Sequence, residues 1–262
     1  MTLGSDGEHA PAQAPPPAGR ARSLALAAIE VVFVALLVAA GGAWPTPDTN
    51  EAHYLPRARH AHDPSWLAGD FFLESREAHG VFSTLLGPLA AGTTFDRAAW
   101  IGRVCGWVAQ AAGFVFAARA AVPSAPARLL AAALFSLAVR STPAAGEWVI
   151  GGCESKVFSW ALVLAGVGWF ARGRFTAAWI TLGAATAIHP LVGGWALIAL
   201  VPATLLAHRA AGPGDVLRLP GPRDLPGVAA GAALAALGIV PALGLGAGVD
   251  AATRTAATFT YV

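Results

Sequence analysis

Eight apolar runs constrain the fold of this chain more than any other feature of its sequence. The runs cover residues 24–44, 81–95, 99–122, 127–144, 157–171, 175–188, 191–207 and 226–248. Hydrophobic residues make up 56% of the chain and charged residues only 12%, whereas soluble domains are roughly a quarter charged. A soluble fold of this size has too little interior to hide so much apolar surface. We therefore predict an all-α integral membrane protein.

The two ends of the chain differ from its apolar body. The N-terminal stretch is rich in Pro, Ala and Gly and has no apolar period, so we predict that residues 1–22 form a disordered cytoplasmic tail. The run at 24–44 is longer than the apolar part of a usual signal peptide, which favours an uncleaved first spanning helix. The chain stops just past the last run. We expect residues 23–262 to form one membrane module that is incomplete at its C-terminus.

The run at 81–95 decides the topology, because it is short and is broken by Gly87-Pro88. If it does not cross, most arginines outside the first loop share one side, as the positive-inside rule requires. That inner group consists of Arg20, Arg22, Arg119, Arg128, Arg172, Arg174, Arg209, Arg218 and Arg223. If it crosses, several of these clusters lie outside. We therefore predict that 81–95 is an interfacial or re-entrant helix on the outer face.

This topology gives about seven transmembrane helices, with the N-terminus in the cytoplasm of a bacterial inner membrane. The outer side receives a large first loop, residues 45–97, that carries two interfacial helices. It also receives residues 141–156, the turn at His189-Pro190 and the tail after residue 249. Side chains able to do chemistry are therefore concentrated on the outer side.

Composition and spacing argue against several classes of function. The net charge of +2 is too small to indicate a nucleic-acid partner, and the chain has no Walker A or Rossmann glycine pattern. Two cysteines are too few for a disulfide framework or a cysteine metal site. His53, His60 and His62 with Asp63 lack the spacing of a helical metal-binding pair. We predict no metal site from these residues.

The first polar cluster directly follows the first spanning helix. Thr49 or Asn50 is placed to cap a new helix whose first turn holds Glu51. A carboxylate beside the bilayer suits a general base that acts on a lipid-linked substrate. The alternative is an acid that only favours the N-terminal end of the helix dipole. Neighbouring members of the candidate substrate site are Asp48, His53, Tyr54 and Asp70.

The second polar cluster lies between the predicted third and fourth spanning helices. It contains Glu147, Glu154 and the single lysine of the chain, Lys156. Lys156 is expected to pair with Glu154 or with a ligand phosphate, since ionisable groups at membrane depth are functional by default. The alternative is a loop that keeps its charges in water.

Three further candidates are Arg103, Arg140 and His189, at helix ends on the same side. The arginines either bind phosphate or extend to the interface. The histidine is a phosphate ligand, an acid or a hydrogen-bonded turn residue. Glu30, inside the first helix, faces either a cavity or the inner surface.

The order of these residues resembles the GT-C superfamily of membrane glycosyltransferases, which includes protein mannosyltransferases and lipid A aminoarabinose transferases. Asp48-x-x-Glu51-x-x-Tyr54 resembles the first acidic motif of that family, and Glu154, or else Glu147, stands where the second acid is expected. The chain departs from the family by separating Asp48 from Glu51 and by having Glu in place of the usual second Asp.

Other segments extend the resemblance. Residues 68–71 and 79–96 resemble the end of the first interfacial helix and the second one, and 98–103 resembles the start of the next spanning helix. Residues 186–190 resemble a leucine-threonine-lysine-glycine-proline turn, with His189 in place of the lysine. The stretch from residue 50 to residue 156 is also similar to an uncharacterised family of bacterial, largely planctomycete, membrane proteins.

The GT-C resemblance implies transfer of a sugar from a polyprenyl-phosphate donor to an acceptor on the outer face of the membrane. Glu51 would deprotonate the acceptor hydroxyl, which attacks the anomeric carbon with inversion. Glu154 would orient the acceptor or a phosphate linked through a divalent cation, and Asp70 would brace the loop. The groups expected to hold the departing phosphate are Lys156, His189, Arg103 and Arg140. The expected partners are membrane lipid and the polyprenyl-phosphate-linked sugar.

Two other functions fit the same outline. A transporter or flippase predicts charged groups at mid-membrane, for which Glu30 is the one candidate. A non-catalytic scaffold that binds lipid or proteins predicts that Glu51 and Glu154 are far apart. Catalysis predicts instead that the two carboxylates line one outward cavity, roughly 10 Å or less from each other.

Overall fold

The computed structural model describes residues 17–141, 149–210 and 221–260. Within these ranges the regular structure consists of α-helices and short 3₁₀ turns, without strands, which confirms the predicted all-α class. Each of the eight apolar runs falls on a helix. The helices are α1 (Pro17–Gly42), α2 (Glu51–His62), α3 (Phe71–Glu74), α4 (Gly80–Gly92), α5 (Phe95–Ala121), α6 (Ala125–Ser141), α7 (Ser155–Phe170), α8 (Phe175–Ile188), α9 (Pro190–Ala210), α10 (Leu225–Leu243) and α11 (Ala251–Thr260).

Three helical segments in the described part of the chain are long and apolar enough to cross a membrane. They are Ala21–Gly42 in α1, the whole of α5, and Pro222–Gly246 around α10. The helices α7 and α8 have 16 and 14 residues, which span about 24 and 21 Å against a hydrocarbon core of about 30 Å. The three long segments support an integral membrane protein. The seven-helix arrangement stays a prediction.

The helices pack as a layer of neighbours. The helix α1 contacts α5 and α6, α5 contacts α7, and α8 contacts α7, α9 and α10. At the crossing of α8 and α10, a Cβ added to Gly183 would lie 2.2 Å from the carbonyl oxygen of Gly231. Only glycine allows this approach of two backbones, which is typical of helix pairs in membranes.

The first loop contains two helices, α2 and α4, with the four-residue α3 between them. The helix α2 ends at His62, short of residues 68–71, where the resemblance placed the end of the first interfacial helix. The helix α2 packs on α4 through a core that includes Leu55, Ala58, Phe82 and Leu86. Cys153, which precedes α7, belongs to the same core. The first loop therefore rests on the segment that begins α7, and the two predicted polar clusters meet.

Candidate functional site where the first loop meets the start of α7

The segment before α7 is fixed to α5 by its backbone. The indole Nε1 of Trp107 donates to the carbonyl oxygen of Gly151 at 3.2 Å, and the amide of Gln110 donates to that of Val149. Cys153 packs so closely on Gly102 that an added Cβ there would lie 2.0 Å from the sulfur. These contacts hold the backbone of residues 149–154 beside the start of α2.

Glu51 begins α2 and is fully buried. Arg103 donates to both of its oxygens, from Nε to Oε1 and from Nη2 to Oε2, each at 2.6 Å. The backbone N–H groups of Asp48 and Cys153 donate to the same carboxylate at 2.8 and 2.7 Å. Burial opposes ionisation, but the hydrogen bonds from Arg103, Asp48 and Cys153 outweigh it, so the pKa of Glu51 lies below its usual value. Glu51 is therefore a carboxylate held by four donors.

The Glu51–Arg103 pair joins three parts of the chain. Arg103 also donates to the carbonyl oxygens of Trp44 and Pro45, just after α1. On the other side, a Cβ added to Gly152 would lie 2.6 Å from Oε1 of Glu51. Only glycine leaves room for the carboxylate there, so the pair ties the first loop and α5 to the segment before α7.

Glu154 is also buried, with 1% of its surface exposed, but its partners are fewer. The side-chain amide of Asn50 donates to Oε2 at 2.6 Å, and Nζ of Lys156 lies 3.8 Å from the same oxygen. Burial raises the pKa of Glu154 to about 7, although the charge of Lys156 and the Asn50 hydrogen bond oppose the rise. Asn50 stands at the start of α2 but makes no side-chain cap there; its side chain binds Glu154 instead.

A pocket of about 330 Å³, which we call the polar pocket, has Asn50, the partner of Glu154, in its wall. Its wall is formed by Asn50, His53, Tyr54, Arg57, Phe72, Arg76, Glu77, Ala78, His79 and Leu245. Three wall residues contact groups directly behind them. Asn50 donates to Glu154, the hydroxyl of Tyr54 accepts from Ser155 at 3.0 Å, and the ring of His79 lies 4.7 Å from that of His189.

His189 is buried between α8 and α9. Burial and the nearby charge of Lys156 lower its pKa to about 4, so the imidazole is neutral at physiological pH. Its Nδ1 accepts from the backbone N–H of Val192 at 3.3 Å. A neutral histidine supplies a hydrogen bond but no positive charge, which leaves Lys156 as the cation beside Glu154.

A groove of about 700 Å³, which we call the apolar groove, begins at Leu191 and Val192, just after His189. It runs between α7, α8 and α9 and is lined by Trp160, Val163, Gly166, Val167, Phe170, Leu182, Leu191, Val192, Trp195, Ala196, Ala199, Leu200 and Ala203. Val192, which donates to His189, lies in its wall. His189 thus contacts a wall residue of each cavity, His79 of the polar pocket and Val192 of the apolar groove.

The structure brings together the two acids that the sequence singled out. Cys153 donates to Glu51, and the next residue, Glu154, accepts from the neighbour of Glu51, Asn50. His53 and Tyr54 line the polar pocket, and Asp48 binds Glu51 through its N–H. Lys156 adjoins Glu154, and His189 lies near Lys156. Arg103 binds Glu51 rather than the pocket.

Three predicted residues lie elsewhere. Asp70 caps α3 by accepting from the N–H of Leu73 at 2.9 Å. Arg140 packs against Gly41 at the end of α1 and lines neither the polar pocket nor the apolar groove. Glu147 lies outside the described residues. In the part of the chain that the structure describes, no three His, Cys, Asp or Glu side chains form a group able to hold a metal ion.

Two contributors were missed by the sequence reasoning. Ser155 lies within the second polar cluster and was detectable by its position beside Glu154. His79 opens the segment 79–96 that resembles the second interfacial helix, but nothing local marked it as a site residue, because it meets His189 only through the packing of the first loop. Comparison with protein-family models, curated proteins and solved structures finds no match to this chain.

Proposed function

We propose that this chain is a GT-C-type membrane glycosyltransferase that transfers a sugar from a polyprenyl-phosphate donor to an acceptor on the outer face of a bacterial inner membrane. One observation carries the proposal. Glu154, with a pKa of about 7, lies beside Lys156 and binds Asn50 in the wall of the polar pocket. His189 contacts the wall of the same pocket at His79 and the wall of the apolar groove at Val192. A lipid-linked sugar has the same division into a polar and an apolar part.

The proposed topology has seven crossings with α2 and α4 on the outer face. The helix α4 has 13 residues, about 20 Å in length, which suits an interfacial element better than a span. The helices α7 and α8 are short for a full crossing. Packing among α7, α8, α9 and α10 and local thinning of the bilayer would accommodate that mismatch.

The two cavities suit the two parts of the donor. The apolar groove extends along α9 from Leu191 to Ala203, about 18 Å of helix, and would take the prenyl chain of the donor. The polar pocket offers hydroxyl, amide and imidazole groups to a sugar or its acceptor. The phosphate would lie between them, beside Lys156.

The proposed chemistry places Glu154 as the general base. A carboxyl group with a pKa of about 7 is partly ionised at neutral pH and still basic enough to take a proton. It would remove the proton of the acceptor hydroxyl as that oxygen bonds to the anomeric carbon. The bond from that carbon to the phosphate oxygen breaks, and Lys156 stabilises the charge on the leaving polyprenyl phosphate.

Glu51 has a different part in this proposal from the one that the resemblance implied. Its four hydrogen bonds and complete burial favour a positioning role, because an available base needs a free lone pair facing the substrate. By fixing the N–H of Cys153, Glu51 sets where Glu154 stands. Asn50 separates Glu154 from the polar pocket, so substrate must take over or displace the Asn50 hydrogen bond.

Two sets of observations bear on the alternatives. Glu30, the candidate charge for a transporter, binds Arg119 and Arg128 in the last turn of α5 and the first turn of α6. The scaffold alternative predicts separated acids, whereas Cys153 binds Glu51 and the next residue, Glu154, binds Asn50. Catalysis predicts that both acids line one outward cavity, whereas both are buried and neither lines the polar pocket or the apolar groove.

The experiment is a donor-turnover assay with the purified chain in nanodiscs. A panel of polyprenyl-phosphate hexoses is supplied, and released polyprenyl phosphate is measured by mass spectrometry, which registers turnover whatever the acceptor. Glu154→Gln should reduce turnover by at least about 100-fold, as expected for loss of general-base catalysis. Glu74→Gln, the same change at an exposed position of the first loop, is the matched control. Equal turnover in the two variants, or none in the native chain with any donor, would count against the proposal.

A further inference from the structure

A second charged pocket lies outside the proposed site, among α1, α5 and α6. Its volume is about 440 Å³, and its wall consists of Arg22, Ser23, Leu26, Glu30, Arg119, Pro123, Ala125 and Arg128. Three arginines face one glutamate, so this wall carries an excess of two positive charges. We call it the arginine pocket.

The arginines of this pocket differ in how many hydrogen bonds they donate within the protein. Arg128 donates from Nε and Nη2 to Glu30 at 3.1 and 2.6 Å, and from Nη1 to the carbonyl oxygens of Val122 and Pro123. It is buried and held on all sides. Its role is to close the α1–α6 contact around the Glu30 carboxylate.

Arg119 is held by one atom only. Its Nε donates to Glu30 at 3.0 Å, while neither Nη atom donates to any residue in the described part of the chain. A quarter of its side chain is exposed. Arg22 is exposed on the same wall. A guanidinium with both Nη groups available can hold two oxygens of one phosphate.

The pocket lies at the arginine-rich end of the helix bundle. Arg172 at the end of α7 donates to the carbonyl oxygen of Phe116 in α5. Gly227 of α10 packs against Thr176 at the start of α8. The last turn of α5, which carries Arg119, is therefore at the same end as Arg172 and Arg223.

The surface around the pocket is apolar. Leu26 lines the pocket, and Leu24, Ile29 and Phe33 continue along the exposed face of α1. On α6, Leu130 and Leu134 are also exposed. A polar cavity with excess positive charge, bordered by lipid-facing helices, fits an anionic headgroup whose acyl chains lie along α1 and α6.

We infer that the arginine pocket binds the phosphate of an anionic membrane phospholipid, with Arg119 as its main ligand and Arg22 as a second. Arg128 and Glu30 hold the pocket open but do not supply its available donors. This site is independent of the proposed transferase site and can be tested without any activity assay.

The test is lipid titration of the purified full chain by native mass spectrometry, with phosphatidylglycerol, cardiolipin and phosphatidylcholine as probes. The anionic lipids should bind at least about tenfold more tightly than phosphatidylcholine. Arg119→Gln should weaken phosphatidylglycerol binding about tenfold, the cost of a charge-assisted hydrogen bond. Arg223→Gln, which removes the same charge from an exposed position at the same end, should change it by less than about threefold.

Two further variants separate binding from folding. Arg119→Lys keeps the charge but loses the planar fork, so an intermediate affinity is expected. Ala125→Trp fills the pocket without changing charge and should also weaken phosphatidylglycerol binding. Equal losses in Arg119→Gln and Arg223→Gln would overturn the site. Binding of millimolar inorganic phosphate that depends on Arg119, without any preference for anionic over neutral lipid, would overturn the lipid as its source.

Discussion

Two buried carboxylates stand beside each other at the start of α2 and the start of α7, and they differ in almost everything except burial. Glu51 has an arginine fork and two backbone N–H groups, and its pKa lies below the usual value. Glu154 has one amide hydrogen bond and a lysine at 3.8 Å, and its pKa rises to about 7. Burial alone therefore does not decide the role of a carboxylate. The number and charge of its donors do.

The largest expected effect is on stability and comes from Glu51. Glu51→Gln removes the partner of Arg103, a buried cation, and should reduce the free energy of unfolding by about 3–5 kcal/mol. Denaturation of the purified chain in detergent measures the change. The comparison variant, Glu154→Gln, removes a carboxylate whose burial opposes ionisation, so it should not destabilise the fold at pH 7.

A double variant sharpens this first prediction. Replacing Arg103 by Met together with Glu51→Gln removes both charges, and it should recover part of the lost stability because no buried charge is left unpaired. If Glu51→Gln is as mild as Glu154→Gln, the ion pair does not hold the site together and the comparison fails.

A smaller effect is expected at Gly152. Its alanine variant would place a Cβ 2.6 Å from Oε1 of Glu51, so the carboxylate or the loop must shift, at a cost of about 1–3 kcal/mol. Gly194→Ala is the control, since an added Cβ there meets no atom within 4 Å. That change lies in α9 and should be neutral or stabilise by up to about 1 kcal/mol. Similar behaviour of the two alanine variants in thermal unfolding would rule out a tight fit at Glu51.

The pH dependence of stability should separate the two acids. The folded pKa of Glu154 is raised from 4.5 to about 7, so between these values the folded state binds more protons than the unfolded state. Stability contributed by Glu154 therefore falls as pH rises from about 4.5 to about 7 and is constant above. Glu51, with its lowered pKa, acts in the opposite sense, because its contribution is present above pH 4.5 and is lost as pH falls below it.

The measurement is the difference in unfolding free energy between the native chain and Glu154→Gln at several pH values. The difference is needed because His189, with its pKa lowered to about 4, makes stability rise with pH between about 4 and 6.5 in both proteins. The native chain should lose stability relative to the variant from pH 4.5 to 7. A difference that does not change with pH would mean that Glu154 titrates normally.

The fold and the site were not equally predictable from the sequence. All eight apolar runs lie on helices, because the composition and length of each run are enough to indicate a helix without knowledge of its neighbours. The number of spans could not be predicted in the same way. The helices α7 and α8 are short and are buried by packing against neighbouring helices, so their length alone does not indicate a span. The first loop was predicted to hold two helices, and α2 and α4 are present.

The sequence was enough to predict which residues belong to the site, but not which of them bind each other. Glu51, Glu154 and Lys156 stood out as charges near apolar runs. That Arg103 would bind Glu51, and Asn50 would bind Glu154 rather than cap α2, depends on contacts between residues about 50 and 100 positions apart. No local spacing rule reaches that far. The arginine pocket was missed for the same reason, because Glu30, Arg119 and Arg128 meet only in the folded chain.

The smallest predicted effect concerns which neighbour controls Glu154. The charge of Lys156 lowers the pKa of Glu154 more than the Asn50 hydrogen bond does. Lys156→Gln should therefore move the pKa of Glu154 further above 7 than Asn50→Ala moves it, while Lys156→Arg should leave it nearly unchanged. The pH at which the stability difference from the corresponding Glu154→Gln double variants becomes constant reports each pKa. A larger shift from Asn50→Ala would mean that the hydrogen bond controls Glu154. The contrast with Glu51 would then depend on the number of hydrogen bonds alone and not on the distance of the cation.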